Sequence, residues 1–264
     1  MKKYPIYQVD AFAESPFSGN PAAVVILNEW PEAVLMQNIA AENNLAETAF
    51  ILQKKNEFEI RWFTPTVEVE LCGHATLASA YVIFNILKWG KNLISFKSLY
   101  SGLLRVEKKG DLFILDFPAD DFTETKTPEK LTKGLGYEPK ECYKGKTDFL
   151  LIFKSQAEIE KLSPDFQMIS DIDCRGIIVT APGDETDFVS RFFAPMCGIN
   201  EDPVTGSAHT TLIPYWSKKL GKLKLTAKQM SKRKGFLYCE FCGERVKIGG
   251  KAKLYLSGEI FVNV

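Results

Sequence analysis

The amino-acid sequence predicts an α+β fold of two similar, strand-rich domains, each wrapped round one buried helix. The main observation is an internal repeat: residues 61–85 read RWFTPTVEVELCGHATLASAYVIFN, and residues 191–216 read RFFAPMCGINEDPVTGSAHTTLIPYW. A repeat spaced by about half of the 264 residues indicates two related domains rather than a solenoid. Such a pair is expected to bind its ligand between the halves.

The first half contains strand patterns followed by one wholly apolar helix. Strands are predicted at residues 8–12, 21–27, 47–53 and 57–63, and a surface helix at residues 31–44. The stretch from Gly73 to about Lys88 then offers no polar face. A helix that is apolar all round is buried rather than amphipathic.

The second half repeats this order. Strands are predicted at residues 175–181, 187–193, 223–228, 235–241, 244–250, 252–258 and 259–264, and a buried helix at residues 206–216. Pro214 is expected to kink that helix or to end it early. Between the halves, residues 116–134 are polar and proline-bearing, which predicts a linker with a boundary near Asp120. The predicted domains are residues 1–120 and 121–264, and the last strand is free to return to the first half.

Composition excludes several classes of protein. The 33 basic and 33 acidic residues cancel, and the pI is near 6.8, so the basic excess of a nucleic-acid binder is absent. Lysines cluster at residues 218–234, where a solvated surface is favoured over an anion or RNA patch. No apolar run is long enough to span a bilayer, and the start is not a signal peptide, so we expect a cytoplasmic protein. The six scattered cysteines are typical of reduced thiols.

Two glycines mark matched helix starts in the repeat. Gly73 and Gly206 each precede an apolar helix, and the first N–H groups of a helix have no partner within it. Without side chains, these glycines leave the backbone open to a ligand. The sequence therefore predicts that the two helix starts hold a carboxylate between them. The alternative is that both glycines only permit tight packing.

Both histidines of the chain lie in the first turns of these two helices. His74 directly follows Gly73, where its imidazole would meet a bound ligand, so a functional role is favoured. His209 falls one position later in the repeat, opposite Thr76, and both a functional and a structural role stay open.

A carboxylate among apolar residues is a common source of a proton donor or acceptor that works near neutral pH. Glu47, in the stretch NLAETAFIL, fits that description, and the corresponding stretch CRGIIVTA has no carboxylate. The alternative for Glu47 is an ordinary glutamate at the edge of a strand.

Asp202 lies in INEDPVTG, in the region of the three extra residues of the second copy, which the alignment places within residues 197–203, and it is close to Thr205 and Gly206. An aspartate before a proline is often a turn residue, but a ligand or proton-relay role is equally open here. Ser207 aligns with His74 and could donate a hydrogen bond or cap the helix.

Several motifs together resemble the phenazine-biosynthesis-like (PhzF-like) isomerase family, which has the diaminopimelate-epimerase fold. They span the chain: GNP at residues 19–21, AETAF at 46–50, FTP and CGHAT within 63–76, EDPVTGSAH at 201–209, RKG at 233–235 and VKIGG at 246–250. The resemblance implies two pseudo-symmetric domains with barrel-like sheets. It also implies a homodimer, a small carboxylate-bearing substrate, and neither cofactor nor metal.

The resemblance implies a role for each candidate residue. Glu47 is similar to the family's general acid/base, and His74 and Asp202 to its supporting polar groups. By the same resemblance, the ligand carboxylate would be contacted by Gly73 at the first helix start and by Thr205, Gly206 and Ser207 at the second. The family commonly has a serine where Ala46 stands here, which leaves the preferred substrate open.

One departure from the wider fold favours isomerisation over two-base epimerisation. Diaminopimelate-type epimerases use a cysteine before each of the two glycines, whereas this chain has Cys72 before Gly73 but Thr205 before Gly206. A threonine hydroxyl is too weak an acid to share that role. The reaction predicted is a proton transfer by Glu47 from one substrate carbon to another.

Two other functions stay open at this stage. One is a one-thiol racemase that uses Cys72, and the other is a non-catalytic protein that binds a small carboxylate. Cys239 and Cys242 have a CxxC spacing without a second pair or a nearby histidine, so a metal site is not favoured there.

Overall fold

The computed structural model describes residues 1–55 and 57–262, and its contacts divide the chain into two compact units. The first unit comprises the N-terminal residues through Asp116 together with the C-terminal residues from Gly249, and the second comprises Phe117–Ile248. Within the described residues, no helix combines the length and apolar character needed to cross a membrane.

The first unit is mostly strand, with two helices. Its elements are β1 (Lys2–Ala11), β2 (Asn20–Leu27), α1 (Ala33–Asn43), β3 (Glu47–Lys54), β4 (Glu57–Phe63), β5 (Glu68–Val69), α2 (Gly73–Tyr81), β6 (Leu93–Ser98), β7 (Gly102–Lys109) and β8 (Leu112–Pro118). A π-helical segment, Val82–Ile86, extends α2. Every residue of α2 from His74 to Ala80 is buried, as the apolar sequence predicts.

The second unit has three short helices, one longer helix and a similar set of strands. Its elements are β9 (Phe122–Glu124), α3 (Glu129–Leu135), β10 (Glu141–Gly145), β11 (Asp148–Ile152), α4 (Gln156–Lys161), α5 (Phe166–Ser170), β12 (Gly176–Pro182), β13 (Phe188–Phe193), α6 (Ala208–Leu220), β14 (Lys224–Gln229), β15 (Gly235–Phe241) and β16 (Arg245–Gly250). The chain then forms β17 (Ala252–Val262), which pairs antiparallel with β1 of the first unit. Two separate strands were predicted for β17, and the predicted end at residues 263–264 lies outside the described residues.

The repeat extends from the sequence to the order of strand pairing. In the first unit β1–β2, β3–β4 and β6–β7 are antiparallel, while β2–β3 and β4–β6 are parallel. In the second unit β10–β11, β12–β13 and β14–β15 are antiparallel, while β11–β12 and β13–β14 are parallel. Each unit thus alternates the two kinds of pairing in the same order, and the predicted α+β class is confirmed.

The predicted linker is largely folded. Residues 122–124 form β9 and residues 129–135 form α3, whose Leu131 and Leu135 are buried in the core of the second unit. Leucines four residues apart lie on one face of a helix, so this polar segment still has one apolar face. The linker prediction is wrong for this reason, whereas the domain boundary near Asp120 stays a prediction.

Of the two effects expected of Pro214, the early end of the helix does not occur, since α6 continues to Leu220. A proline has no N–H to donate to the carbonyl four residues earlier, which here belongs to Thr210. The amide of Asp120 donates to that carbonyl at 3.1 Å, and the Asp120 carboxylate accepts from the hydroxyl of Thr211 at 2.9 Å. The Thr210 carbonyl, which Pro214 leaves without a donor in the helix, therefore accepts its hydrogen bond from a residue outside the helix.

The lysine-rich segment at residues 218–234 forms ion pairs on the surface of the second unit. Lys219 pairs with Glu141 at 3.0 Å, Lys222 pairs with Asp187, and Lys228 lies 3.6 Å from Glu185. These acidic partners offset part of the positive charge, which is consistent with a solvated surface.

Candidate active site

Glu47 is the first residue of β3, beside the parallel strand β2. The strand residues that follow it, from Thr48 to Leu52, are buried, so the backbone at this position is fixed by the core of the first unit. The Glu47 side chain itself is 14% exposed. It is therefore held at the edge of the core, where a carboxylate can be reached by a ligand.

His74 is the second residue of α2 and lies next to Glu47. Its Nε2 atom is 3.1 Å from Oε2 of Glu47, and the residue is 6% exposed. This distance suits a pair of opposite charges, and among the described residues neither atom has another hydrogen-bond partner. The pair is therefore close enough for a proton to pass between the two side chains.

The other nitrogen of His74 faces two buried groups. Nδ1 lies 3.2 Å from Nδ2, the side-chain amide nitrogen of Asn20, and 3.5 Å from Sγ of Cys72. Asn20, which is fully buried, opens β2 directly after Gly19. Gly19 has a φ of +71°, and a Cβ there would lie 2.2 Å from the carbonyl oxygen of Ala11, so the tight turn before Asn20 requires glycine.

The charges in this cluster favour a protonated His74. Burial lowers the pKa of His74, but its interactions with Cys72 and with the carboxylate of Glu47 outweigh that effect and raise the pKa well above its usual value. Burial, together with the carboxylate of Glu47, also raises the pKa of the Cys72 thiol, so Cys72 is a neutral thiol near pH 7. Glu47 is accordingly the group that favours an imidazolium on His74 under those conditions.

The ligating atoms of Glu47, Cys72 and His74 all lie within 4.8 Å of one another, a set that a metal ion could use. Cys72, however, contacts Nδ1 of the imidazole, whereas Glu47 contacts Nε2. A zinc ion needs all of its ligand atoms about 2.0–2.3 Å from one point. Here the thiol and the carboxylate lie beside different nitrogens of the ring, so an ion bound to either nitrogen would be near only one of them. The arrangement therefore fits a chain of proton-transfer groups better than a metal site.

Each copy of the repeat contains an arginine that pairs with a glutamate through two hydrogen bonds. Arg61 donates to Glu68 at 2.7 Å from both Nε and Nη2, and Arg191 donates to Glu201 at 2.7 and 3.0 Å. Because the glutamates correspond, the three extra residues of the second copy precede Glu201, in the region of the 3₁₀ turn Pro195–Cys197. The expectation that Asp202 belongs to the inserted region is therefore wrong, and Asp202 lies just outside the inserted residues.

Asp202 is held by a polar network within the second unit. The Thr205 hydroxyl donates to Oδ2 of Asp202 at 2.6 Å, and the Thr205 amide donates to Oε1 of Gln229 at 2.8 Å. Gln229, which is fully buried, donates in turn to the backbone carbonyl of Asp202 at 2.8 Å. The hydroxyl hydrogen of Thr205 is thus engaged with Asp202, and the loop before Gly206 is fixed from two sides.

His209 has a structural role. Its Nδ1 lies 2.8 Å from the carbonyl oxygen of Thr205, one helical turn earlier, and the side chain is fully buried. Burial lowers the pKa of His209 to about 4, so the ring is neutral and donates its Nδ1 hydrogen. In the first unit Thr76 makes the equivalent bond, from its hydroxyl to the carbonyl of Cys72 at 2.6 Å.

Ser207 is the N-cap residue of α6, which begins at Ala208, two residues after Gly206. Its hydroxyl does not accept a hydrogen bond from a helix N–H but accepts one from Nη1 of Arg175 at 3.0 Å.

The predicted site residues form one group in each unit. Glu47 and His74 lie next to each other in the first unit. Asp202, Thr205, Gly206 and Ser207 lie close along one loop of the second unit.

Sequence reasoning did not single out three polar residues at these sites, namely Asn20, Arg175 and Gln229. Asn20 belongs to the GNP motif, and a buried polar residue in a glycine-proline turn is a usable signal. Arg175 and Gln229 have no local signal, because their contacts come from strand pairing rather than from neighbours in sequence.

Comparison with known proteins gives consistent results. Residues 9–258 match the family of phenazine biosynthesis-like proteins. An uncharacterized isomerase of Pseudomonas aeruginosa is 49% identical over 255 residues, covering 97% of this chain and 98% of that protein. The crystal structure of a PhzF-family phenazine biosynthesis protein from Enterococcus faecalis matches with a TM-score of 0.96 at 47% identity, covering 99% of this chain and 100% of that one.

A more distant structure shares the fold. The hydroxyproline epimerase of Agrobacterium vitis, solved with bound trans-4-hydroxy-L-proline, matches with a TM-score of 0.64 at 8% identity. The match covers 98% of this chain and 92% of the epimerase chain. At this identity the likeness concerns the fold alone.

Proposed function

Because the chain belongs to the family of phenazine biosynthesis-like proteins, we propose that it is an isomerase that moves a proton within a small, carboxylate-bearing substrate. Glu47 is the general acid/base of this reaction. It takes a proton from one substrate carbon and, after exchange with solvent, delivers a proton to another, so that a double bond shifts and no group is gained or lost.

The observation that carries this proposal is the contact of 3.1 Å between Oε2 of Glu47 and Nε2 of His74. Both atoms are buried, and within the part of the chain that the structure describes neither has another hydrogen-bond partner, so each depends on the other or on a ligand. The Glu47 carboxylate is the group that accepts the first substrate proton, with the imidazole of His74 beside it.

Candidate contacts for the substrate carboxylate lie at the start of a helix in each unit. In the first unit, Gly73 opens α2 and leaves its backbone accessible. In the second unit, Thr205, Gly206 and Ser207 precede α6, while the Asp202 carboxylate, which accepts from the Thr205 hydroxyl, is assigned to the groups that support proton transfer. Free N–H groups at a helix start favour an anion. No residue in this proposal requires a cofactor, and a homodimer is expected from the family resemblance.

A one-thiol racemase that uses Cys72 is the second candidate. The raised pKa of the Cys72 thiol argues against it, because the reactive thiolate is scarce near neutral pH. We expect Cys72→Ser to retain proton exchange within about tenfold of the wild type, since the thiol would serve only as a neutral neighbour of His74. A loss comparable with that of a Glu47 variant would favour the racemase.

Solvent proton exchange distinguishes an isomerase from a non-catalytic binding protein. A panel of small carboxylates, including L-proline, trans-4-hydroxy-L-proline, itaconate and benzoate, is screened for thermal stabilisation of the full chain. Compounds that bind are then incubated with the protein in deuterated water. An isomerase introduces deuterium at a substrate carbon, whereas binding without any exchange across a broadened panel would contradict the proposed function.

A further inference from the structure

The strand pairs define which residues correspond in the two units. Phe50 lies opposite Arg61 across β3 and β4, and Val179 lies opposite Arg191 across β12 and β13. The two arginines are equivalent residues of the repeat, since each pairs with the matching glutamate. Phe50 and Val179 are therefore equivalent, and so are the residues that precede them on their strands.

Gly176 stands at the strand position that Glu47 holds in the first unit, three residues before the equivalent pair. The second unit cannot place an acid there, because a Cβ on Gly176 would lie 2.1 Å from the ring of Phe192. The guanidinium of Arg175, the preceding residue, lies over the same ring at 5.5 Å from its centroid. At this end of the strand the second unit therefore has the guanidinium of Arg175 over the ring of Phe192, whereas the first unit has the carboxylate of Glu47.

The guanidinium of Arg175 is fixed in place by a buried carboxylate. Its Nε donates to Oδ1 of Asp148 at 2.9 Å, and its Nη2 donates to Oδ2. Asp148 is 3% exposed and lies directly opposite Gly176 across β11 and β12. These two bonds fix the plane of the guanidinium and leave its other N–H groups available.

One of those N–H groups orients Ser207. Nη1 of Arg175 donates to the hydroxyl oxygen of Ser207 at 3.0 Å. A hydroxyl that accepts from a cation keeps its own hydrogen free, and the bond it then donates is strengthened. The Arg175 side chain is 39% exposed, so a ligand can reach the same region.

We propose that Arg175 is a positioning residue for substrate binding, which turns the Ser207 hydroxyl toward the substrate carboxylate and selects an acid over the corresponding amide. This inference rests on the proposed function, in which Ser207 contacts the carboxylate. A carboxylate oxygen accepts the Ser207 hydrogen in a charge-assisted hydrogen bond. The carbonyl oxygen of a carboxamide carries no net charge and accepts only a weaker bond from the same hydroxyl.

The test compares binding of acids and amides by the full chain and its variants. The probes are benzoate with benzamide and L-proline with L-prolinamide, and the measurement is the dissociation constant by calorimetry. We expect Arg175→Met to weaken binding of the acid by about tenfold or more, while binding of the amide stays unchanged. Arg175→Lys should be intermediate, because an ammonium cannot pair with both oxygens of Asp148 and also reach Ser207.

Two further variants separate positioning from a general structural role. In a Ser207→Ala background, Arg175→Met should change the affinity for the acid by less than about twofold, since the two residues act through one bond. Lys219→Met, which removes a cation elsewhere in the second unit, should leave both affinities unchanged. With a carboxylate that undergoes exchange, Arg175→Met should raise KM and retain kcat.

The outcomes separate this inference from the proposed function. Undiminished binding of the acid by Arg175→Met overturns the inference and leaves the proposed function intact. Failure of the wild type to bind any carboxylate of the panel contradicts both. If the single variant unfolds because Asp148 is left without its partner, Arg175→Met combined with Asp148→Asn removes that buried charge and must show the same loss.

Discussion

Nε2 of His74 and Oε2 of Glu47 lie 3.1 Å apart, although His74 is in the first turn of a helix and Glu47 opens a strand. In the second unit the corresponding positions hold Ser207 and Gly176, which can neither donate nor accept a proton near neutral pH. The duplication has therefore kept two matching helix starts but only one acid/base pair. This asymmetry is the structural reason to expect a proton shift by one group rather than epimerisation by two.

The two histidines are expected to titrate far apart. Burial lowers the pKa of His209 to about 4, whereas for His74 the same effect is outweighed by the neighbouring negative charges and the pKa lies well above 6.5. Nuclear magnetic resonance of the two imidazole ring protons across pH 3.5–9 measures both directly, and His209→Thr assigns the signals. Two curves that both have midpoints near 6.5 would contradict the description of this cluster.

His209 should make the protein sensitive to acid. Its pKa is lowered in the folded state, so its contribution to stability is complete above the unfolded value near 6.5 and is lost as the pH falls toward 4. The loss amounts to about 3 kcal/mol over that range. His209→Thr, which copies Thr76 of the first unit, should flatten this pH dependence even if it lowers stability overall. Denaturant unfolding at several pH values measures it, and parallel curves for both proteins would contradict the prediction.

The two paired arginines are expected to contribute unequally to stability. Arg191 pairs with Glu201 and also donates to the backbone carbonyls of Ile159 and Leu162, at 3.2 and 2.7 Å, whereas Arg61 pairs with Glu68. Arg191→Met should therefore lower the free energy of unfolding by about 3–5 kcal/mol, and Arg61→Met by about 1–3 kcal/mol. Urea unfolding compares the two variants, and an equal or reversed order would be inconsistent with the structure.

Much of the fold could be predicted from the sequence, because the signals were local. The apolar helix that begins at Gly73 is buried, and the α+β class and the family resemblance are confirmed. Local sequence patterns gave wrong predictions where the structure of a segment depends on a contact with a residue distant in sequence. Helix α6 passes through Pro214 because Asp120 satisfies the carbonyl of Thr210, and no feature near Pro214 indicates this.

The site was predictable only in part for the same reason. Glu47 and His74 could be named from their apolar surroundings and their place in the repeat. Arg175 could not, because its role depends on Asp148 of the neighbouring strand and on Ser207 at a distant helix start. Only the register of the strands reveals that Gly176 replaces Glu47 in the second unit.

The most direct test of the account is the rate at which Glu47→Gln introduces deuterium into a substrate that the wild type exchanges. Glutamine keeps the size of the side chain but cannot take up the proton, so we expect the rate to fall by about 10²-fold or more, with binding retained. The exposed Glu42→Gln on α1 is the matched control and should exchange at the wild-type rate. Exchange by Glu47→Gln at the wild-type rate would contradict the assignment of Glu47 as the acid/base.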